Sequence, residues 1–527
     1  MPIVYQLWGV IERATICGVL TWAYHRSYNM RVFATEKEYV MGPFYEKAAQ
    51  QGCVATADNG SLHAFSASCG TAPVVALRGD PETMGRQYGA LVGASVLRNV
   101  ERLLQIFADE GIPKPIVERI MSGAYERMAP FVPESLDAEM RGVVAGAVGA
   151  GVPLSLDALR RLVAATNFDL YKREARIVEF LDADTVALLE KMNGNEPMQC
   201  TFFALWGART EDGKMFSMRN LDWLSQTGMH EDRLITVYHP EGGQPFVSMG
   251  YAGVLGCLAG MNASGFSFSQ IGAFSVSEEL DGIPWTFLAR TTLQQADSLE
   301  AAVDIIKNAK HTIGYNYLVA DGDPAGFGTD AFNPRAVAFE TNHTCCEMFT
   351  DNDPQEQAAA WTDAAGNIHK YGLPMKDGVM RADTAFGKTT RAAQAADDGP
   401  GAPENTGNPL GRDNEGSTYT NCHKPMYDMV RAYETGVQYI FPVRNQKVIE
   451  AGAPRKIGVE EALNIAGVVA HNTEMLHEND WNVMSVVYAP TDGRFWVGYE
   501  TRYSDGSWKN APDAGYMQFD MAELLAL

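Results

Sequence analysis

Two hydrophobic periods divide the chain. From residue 81 to about 192 apolar positions recur at helical spacing, with Leu91, Val92, Val96, Val100, Leu103, Leu104 and Phe107 following an opening Pro81-Glu82-Thr83-Met84-Gly85. The same spacing predicts helices over 115–129, 136–148 and 155–191. From Cys200 the period shortens to that of strands, punctuated by turn signals Glu-Asp-Gly at 211–213, Glu-Gly-Gly at 241–243 and Ala-Ser-Gly at 263–265. Strands are expected at 233–238, 245–250, 254–260 and 265–271, ordered as hairpins and hence antiparallel.

A helical block follows from Pro284 to Lys310, where Asp297 and Glu300 have the spacing of a capping box before Leu299, Ala302, Val303 and Ile306. Strands resume at 316–321 and 336–340, a Gly/Pro/Asn/Asp-rich stretch from Asp397 to Ser417 reads as an exposed loop, and helices are expected near 425–436 and 459–470. A last hairpin at 485–490 and 495–500 turns at Asp492-Gly493. Helices placed between and after antiparallel strands predict an α+β fold, a four-layer α/β/β/α sandwich of two packed sheets. The expected division is an N-terminal extension or leader over 1–80, a helical segment over 81–199 and a catalytic portion over 200–527, the last two forming one domain.

Composition narrows the partners. With 527 residues, 46% of them apolar, the chain buries a large core. A net charge of −23 argues against nucleic acid or an anionic membrane as main partner and favours a small-molecule substrate. Eight cysteines are too sparse for a disulfide framework. No stretch reaches the roughly 20 apolar residues of a membrane-spanning helix. The apolar run at 14–24, preceded by Arg13 but flanked by Glu12, leaves both an exported and a cytoplasmic location open.

The chemistry concentrates at Cys200-Thr201-Phe202-Phe203-Ala204-Leu205-Trp206-Gly207 and the returning Met218-Arg219-Asn220-Leu221-Asp222-Trp223. One hairpin brings together a thiol, a guanidinium and a carboxylate, the layout of an N-terminal-nucleophile hydrolase. In such an enzyme the chain cuts itself before the cysteine, and the freed α-amine, with an ordinary pKa of about 8, serves the thiol as general base. Arg219 would favour the thiolate, and Asp222 would orient the ammonium form of the amine. This chemistry needs no cofactor. His343, Cys345 and Cys346 invite a metal reading, but no second ligand pair stands at useful spacing, and no metal is expected.

Cys200-Thr201, the Asp212-Gly213 turn and Arg219-Asn220-Leu221-Asp222 resemble the nucleophile segment of choloylglycine hydrolases, penicillin V acylases and the acyl-CoA:6-aminopenicillanic acid acyltransferase family. Pro81 to Gly89 resembles the pre-nucleophile segment of the acyltransferase-like branch, and Gly260 to Phe266 resembles a turn of the family. The resemblance implies cleavage between Gln199 and Cys200, a heterodimer of 1–199 and 200–527, and an acyl amide or acyl thioester as substrate. It also implies an asparagine that donates to the oxyanion. Asn352 is the choice here, beside Asn342 and a register through Arg381-Ala382-Asp383; the backbone near Gly272 is a second donor and Arg431 a further arginine. Trp206, Phe216, Trp223, Phe266 and Phe268 could line an acyl pocket or simply fill the core. Gln199 stands where the family often has glycine, which keeps alive the alternative of an unprocessed, non-catalytic binding protein of the same fold.

Overall fold

The computed structural model describes residues 43–109, 112–167, 200–273, 275–362, 365–397, 419–441, 448–470 and 480–527. The apolar run at 14–24, the expected helix beyond 167, Gln199 and the loop following Asp397 lie outside these.

Two large sheets carry the architecture. The seven-stranded sheet runs Tyr45–Lys47, Tyr516–Asp520, Arg494–Tyr499, Asp480–Ala489, Phe216–Leu224, Cys200–Leu205, Gly378–Arg381. The ten-stranded sheet runs Cys345–Phe349, Arg335–Asn342, Tyr315–Asp321, Phe266–Gly272, Ala259–Asn262, Phe246–Tyr251, Arg233–Pro240, Gly70–Gly79, Gly60–Ala67, Ala49–Ala57. Pairing is antiparallel except that Tyr45–Lys47 lies parallel to Tyr516–Asp520 and Gly70–Gly79 parallel to Arg233–Pro240.

Alternation along the strands sorts the core into two layers. Cys200, Phe202, Ala204 and Leu221 face the space between the sheets, with Val486 and Val497. Phe203, Leu205, Phe216 and Met218 face the opposite way, against the helices Lys424–Thr435 and Val459–Val469. Because both faces are covered, all six residues of Cys200–Leu205 are buried, which is why the segment reads as an unbroken apolar run rather than as an alternating strand. On the far side of the ten-stranded sheet lie the helices Pro81–Asp109, Trp285–Gln295 and Leu299–Asn308. The arrangement is the expected four-layer α/β/β/α sandwich.

The structure differs from the sequence reading in three places. Residues 45–79, expected in an extension, form four strands that enter both sheets, so this part of 1–80 is sandwich rather than leader. The strand expected over 254–260 is only Ala259–Asn262. Ser298, not Asp297, caps the helix Leu299–Asn308, its hydroxyl accepting the Ala301 N–H at 3.3 Å; a serine one position closer to the helix competes successfully for the orphan amide.

The helices Pro81–Asp109 and Glu134–Gly149 touch backbone to backbone through glycines. A Cβ added at Gly89 would lie 1.9 Å from the Val143 carbonyl oxygen, and one at Gly146 would lie 2.0 Å from that of Arg86. Such contacts leave no room for a methyl group, so the helices must separate to accept one. Gly89→Ala is expected to destabilise the protein by at least about 2 kcal/mol in urea unfolding. Gly149→Ala, on the same helix pair but with nothing within 4 Å of the added Cβ, should cost nothing; equal effects for the two would refute the packing argument.

Candidate active site

Cys200 opens its strand, and the chain reverses through short turns at Gly207–Arg209 and Glu211–Gly213 before returning as Phe216–Leu224. Asp212 and Gly213 take left-handed backbone angles there, φ 54° and 73°, which is why an Asp-Gly pair marks the reversal. The register places Cys200 opposite Leu221 and Phe202 opposite Arg219, so Arg219 is a diagonal neighbour of the cysteine on the inter-sheet face.

Arg219 is 1% exposed. Its Nε donates to the Gln270 carbonyl oxygen at 3.1 Å and its Nη2 to Gln270 Oε1 at 3.2 Å, tying the nucleophile sheet to the facing one. Its Nη1 has no hydrogen-bond partner among the described residues. A buried guanidinium N–H left in this state is costly unless an acceptor arrives.

Asp222 is 2% exposed and accepts from Asn482 Nδ2 at 2.7 Å. The strand Asp480–Ala489 is irregular at this point: Asn482 faces Asp222, Met484 faces Leu221, and Val483 is the extra residue. The bulge re-aims the chain beside the carboxylate. It is held by the Val483 carbonyl, which accepts from Tyr251 Oη and from the Glu500 amide, both at 3.0 Å. Glu500 in turn accepts from the Trp481 indole at 2.7 Å and from the Gln226 amide at 3.1 Å, anchoring the turn that follows the returning strand. Burial pushes the Glu500 carboxyl up to about 7, against the pull of those two donors.

The Cys200 thiol lies 4.0 Å from the Asp222 carbonyl oxygen, and the Cys200 amide donates to Asp383 Oδ1 at 3.4 Å. Desolvation pushes the thiol up to about 12; Arg219 pulls it down while Asp383 and Asp222 push it up. In the uncut chain the sulfur is therefore a thiol at neutral pH, and its reactivity depends on a base brought close to it.

The other expected positions lie elsewhere. Asn352 occupies an exposed turn with φ 51°, its amide donating to the Met375 carbonyl at 2.9 Å. That turn adjoins the edge strand whose Gly378 pairs with Leu205, the far end of the nucleophile strand from Cys200. The separation is roughly 16 Å along the strand, so the structure does not bring Asn352 to the thiol. Asn342 folds its Oδ1 onto the Thr344 and Cys345 amides at 2.9 and 3.1 Å, a local turn. Gly272 ends its strand opposite Tyr315. Arg431 lies on the surface of its helix and pairs with Glu434. Of the aromatic residues, Phe216 faces the outer helices and Phe268 packs in the core against Tyr317, their rings 5.7 Å apart. His343 Nδ1 meets the His311 carbonyl at 2.9 Å; among the described residues no three His, Cys, Asp or Glu side chains are gathered to hold a metal. No helix among them is long and apolar enough to cross a membrane.

Gln270, Asn482 and Asp383 were not singled out as site residues in the sequence. Gln270 and Asn482 carry a weak signal, each being an amide side chain among mostly apolar strand residues. Asp383 entered the sequence reading only through the register Arg381-Ala382-Asp383; the structure places its Oδ1 3.4 Å from the Cys200 nitrogen.

The fold and the cysteine hairpin together define a four-layer sandwich with a thiol at the head of an inner strand. Residues 208–376, which include Arg219, Asp222 and Gln270, match the family model described as acyl-coenzyme A:6-aminopenicillanic acid acyl-transferase. The match starts after Cys200 and covers less than half of the chain, and it bears out the resemblance read from the returning strand. An uncharacterized protein of Archaeoglobus fulgidus is 27% identical over 257 residues, 47% of this chain and 40% of that protein; the chain thus spans less than half the length of this relative. Among solved structures, an N-acylethanolamine-hydrolyzing acid amidase ortholog from Caenorhabditis elegans matches at 11% identity and TM-score 0.32 over 55% of this chain and 93% of that one. A mutant conjugated bile acid hydrolase from Clostridium perfringens has 13% identity and TM-score 0.33, over 62% and 94%. A penicillin V acylase from Agrobacterium tumefaciens has 12% identity and TM-score 0.32, over 57% and 83%.

Proposed function

We propose that the chain is a cysteine enzyme that cuts itself before Cys200 and then hydrolyses a linear amide, or transfers its acyl group, through a thioester on that residue. The observation that carries this reading is the buried Arg219 guanidinium beside the thiol, anchored at two nitrogens by Gln270 and with Nη1 unpaired among the described residues. A fixed, desolvated donor of this kind is worth most where negative charge develops during reaction. The family match over 208–376 supports the same reaction type.

The steps balance without a cofactor. The sulfur attacks the carbonyl carbon, the C–S bond forms, the C–N bond breaks, and the proton from the thiol ends on the leaving nitrogen. Water or an amine then attacks the thioester, which releases an acid or a new amide and restores the thiol. In the first turnover the leaving nitrogen is that of Cys200 itself; afterwards that nitrogen is the amine that takes and returns the proton. The substrate class is an acyl amide or acyl thioester, and the processed protein is a heterodimer of 1–199 and 200–527.

A denaturing gel with intact masses tests the reading. Two pieces, residues 1–199 and 200–527, are expected, the larger losing its reactivity towards acyl thioesters after iodoacetamide treatment. A single full-length band that does not react with acyl amides or thioesters would instead establish the unprocessed binding protein.

A further inference from the structure

Asp383 touches the cysteine's own nitrogen, with Oδ1 3.4 Å from it. Asp222 has its main-chain carbonyl 4.0 Å from Sγ, and its Oδ1 accepts from Asn482 Nδ2 at 2.7 Å. We propose that Asp383 is a positioning residue that holds the nitrogen of Cys200, first as the peptide N–H and, in the cut chain, as the α-ammonium, thereby deciding where the proton shared by nitrogen and sulfur resides. The inference rests on the proposed role of Cys200 and deepens it.

The location of Asp383 is built, not incidental. It follows the strand Gly378–Arg381, and the next residues are clamped: the Phe386 and Gly387 amides donate to the Glu340 carboxylate at 3.0 and 2.7 Å, and the Ala385 amide donates to Gln394 Oε1 at 2.9 Å. The Asp383 carbonyl accepts from Gln394 Nε2 at 2.7 Å. A carboxylate fixed by a turn of this kind keeps its distance to the nitrogen without reorganising.

The electrostatic consequence follows from distance. The charged groups that bear on the Cys200 thiol are Arg219 and Asp222 from the returning strand and Asp383 from the neighbouring turn, while the facing sheet contributes the neutral Gln270. A negative charge against the nitrogen stabilises an ammonium there more than it penalises a thiolate one side chain away, so the proton is drawn from sulfur to nitrogen. During self-cleavage the same carboxylate receives the nitrogen as it turns from an amide N–H into a cationic amine. The price is that both groups hold their last proton to higher pH.

The test compares Asp383→Asn and Asp383→Glu with the wild-type chain. The pH midpoint of iodoacetamide alkylation at Cys200, read by peptide mass, should fall by at least about half a unit in the Asn variant and stay at the wild-type value in the Glu variant. Self-cleavage should slow about tenfold or more in Asp383→Asn and recover in Asp383→Glu. Urea midpoints report whether each variant is folded. If Asp383→Asn, folded, cuts at the wild-type rate with an unmoved alkylation midpoint, the inference is wrong. If the wild-type chain is never cut and transfers no acyl group, the underlying functional reading fails instead; an unmoved alkylation midpoint in that uncut chain would still overturn the role of Asp383.

Discussion

Cys200→Ala is expected to leave the chain in one piece and to lower acyl transfer by at least about a thousandfold, because both reactions pass through the same sulfur. The loss should appear in kcat and not as weaker substrate binding. Cys200→Ser keeps the geometry but replaces the thiol by a poorer nucleophile in the same desolvated place, so slow or partial cutting is expected. A second buried cysteine provides the control. Cys257 is also buried, with its thiol pushed up to about 11 by desolvation, yet it lies in the connection between the strands Phe246–Tyr251 and Ala259–Asn262 of the facing sheet. Cys257→Ala should change the rate by no more than a few-fold. Normal cutting and turnover in Cys200→Ala would remove the foundation of the proposed mechanism.

Arg381→Met is expected to cost about 3–5 kcal/mol of stability, larger than any surface change in this protein. Arg381 is fully buried, with Nε on Glu340 Oε1 at 2.8 Å and Nη1 on Glu356 Oε2 at 2.9 Å. Its guanidinium is sandwiched between the Phe349 and Phe386 rings, at 4.5 and 4.8 Å. Methionine fills the volume and removes the charge, stranding two carboxylates out of water. Burial already pushes the Glu356 carboxyl up, and Arg381 only partly offsets this. Loss of the arginine would push it further, so the variant should be least unstable in mild acid, where the Glu356 carboxyl takes up a proton. The sign follows from linkage: a carboxyl raised in the folded state costs stability as pH rises through that raised value. Urea unfolding at pH 5.5 and pH 8 measures both effects, and adding Glu356→Gln should recover part of the loss. A change below about 1 kcal/mol at pH 8 would show that the cluster is solvated. The same turn carries Asp383, so slower self-cleavage should accompany the instability.

Much of the Cys200 hairpin was legible because its residues are near neighbours in sequence. Cys200 and Arg219 meet through one short reversal, and the reversal announces itself in Asp212-Gly213. Asn352 lies away from the thiol for the opposite reason. The chain between Glu340 and the edge strand Gly378–Arg381 contains its own helix Pro354–Ala358 and hairpin Ala360–Thr362 with Ile368–Lys370. An offset accumulated over such a detour says little about which residue arrives beside the thiol. The strands at 45–79 were missed because their exposed edge members, such as Ala49–Ala57, lack an apolar stripe.

The sequence by itself determined the change of period at Cys200 and the meeting of the thiol with Arg219, since both depend on contacts within a few tens of residues, and its order of helices and hairpins was enough to name the four-layer architecture. Only the tertiary structure decided which groups surround the cysteine from afar: Gln270 from the facing sheet, Asn482 through a bulge, and Asp383 on its nitrogen. The physical reason is that these contacts are fixed by sheet register and by buried charge clusters, each a property of the packed whole and carried by no local pattern of residues.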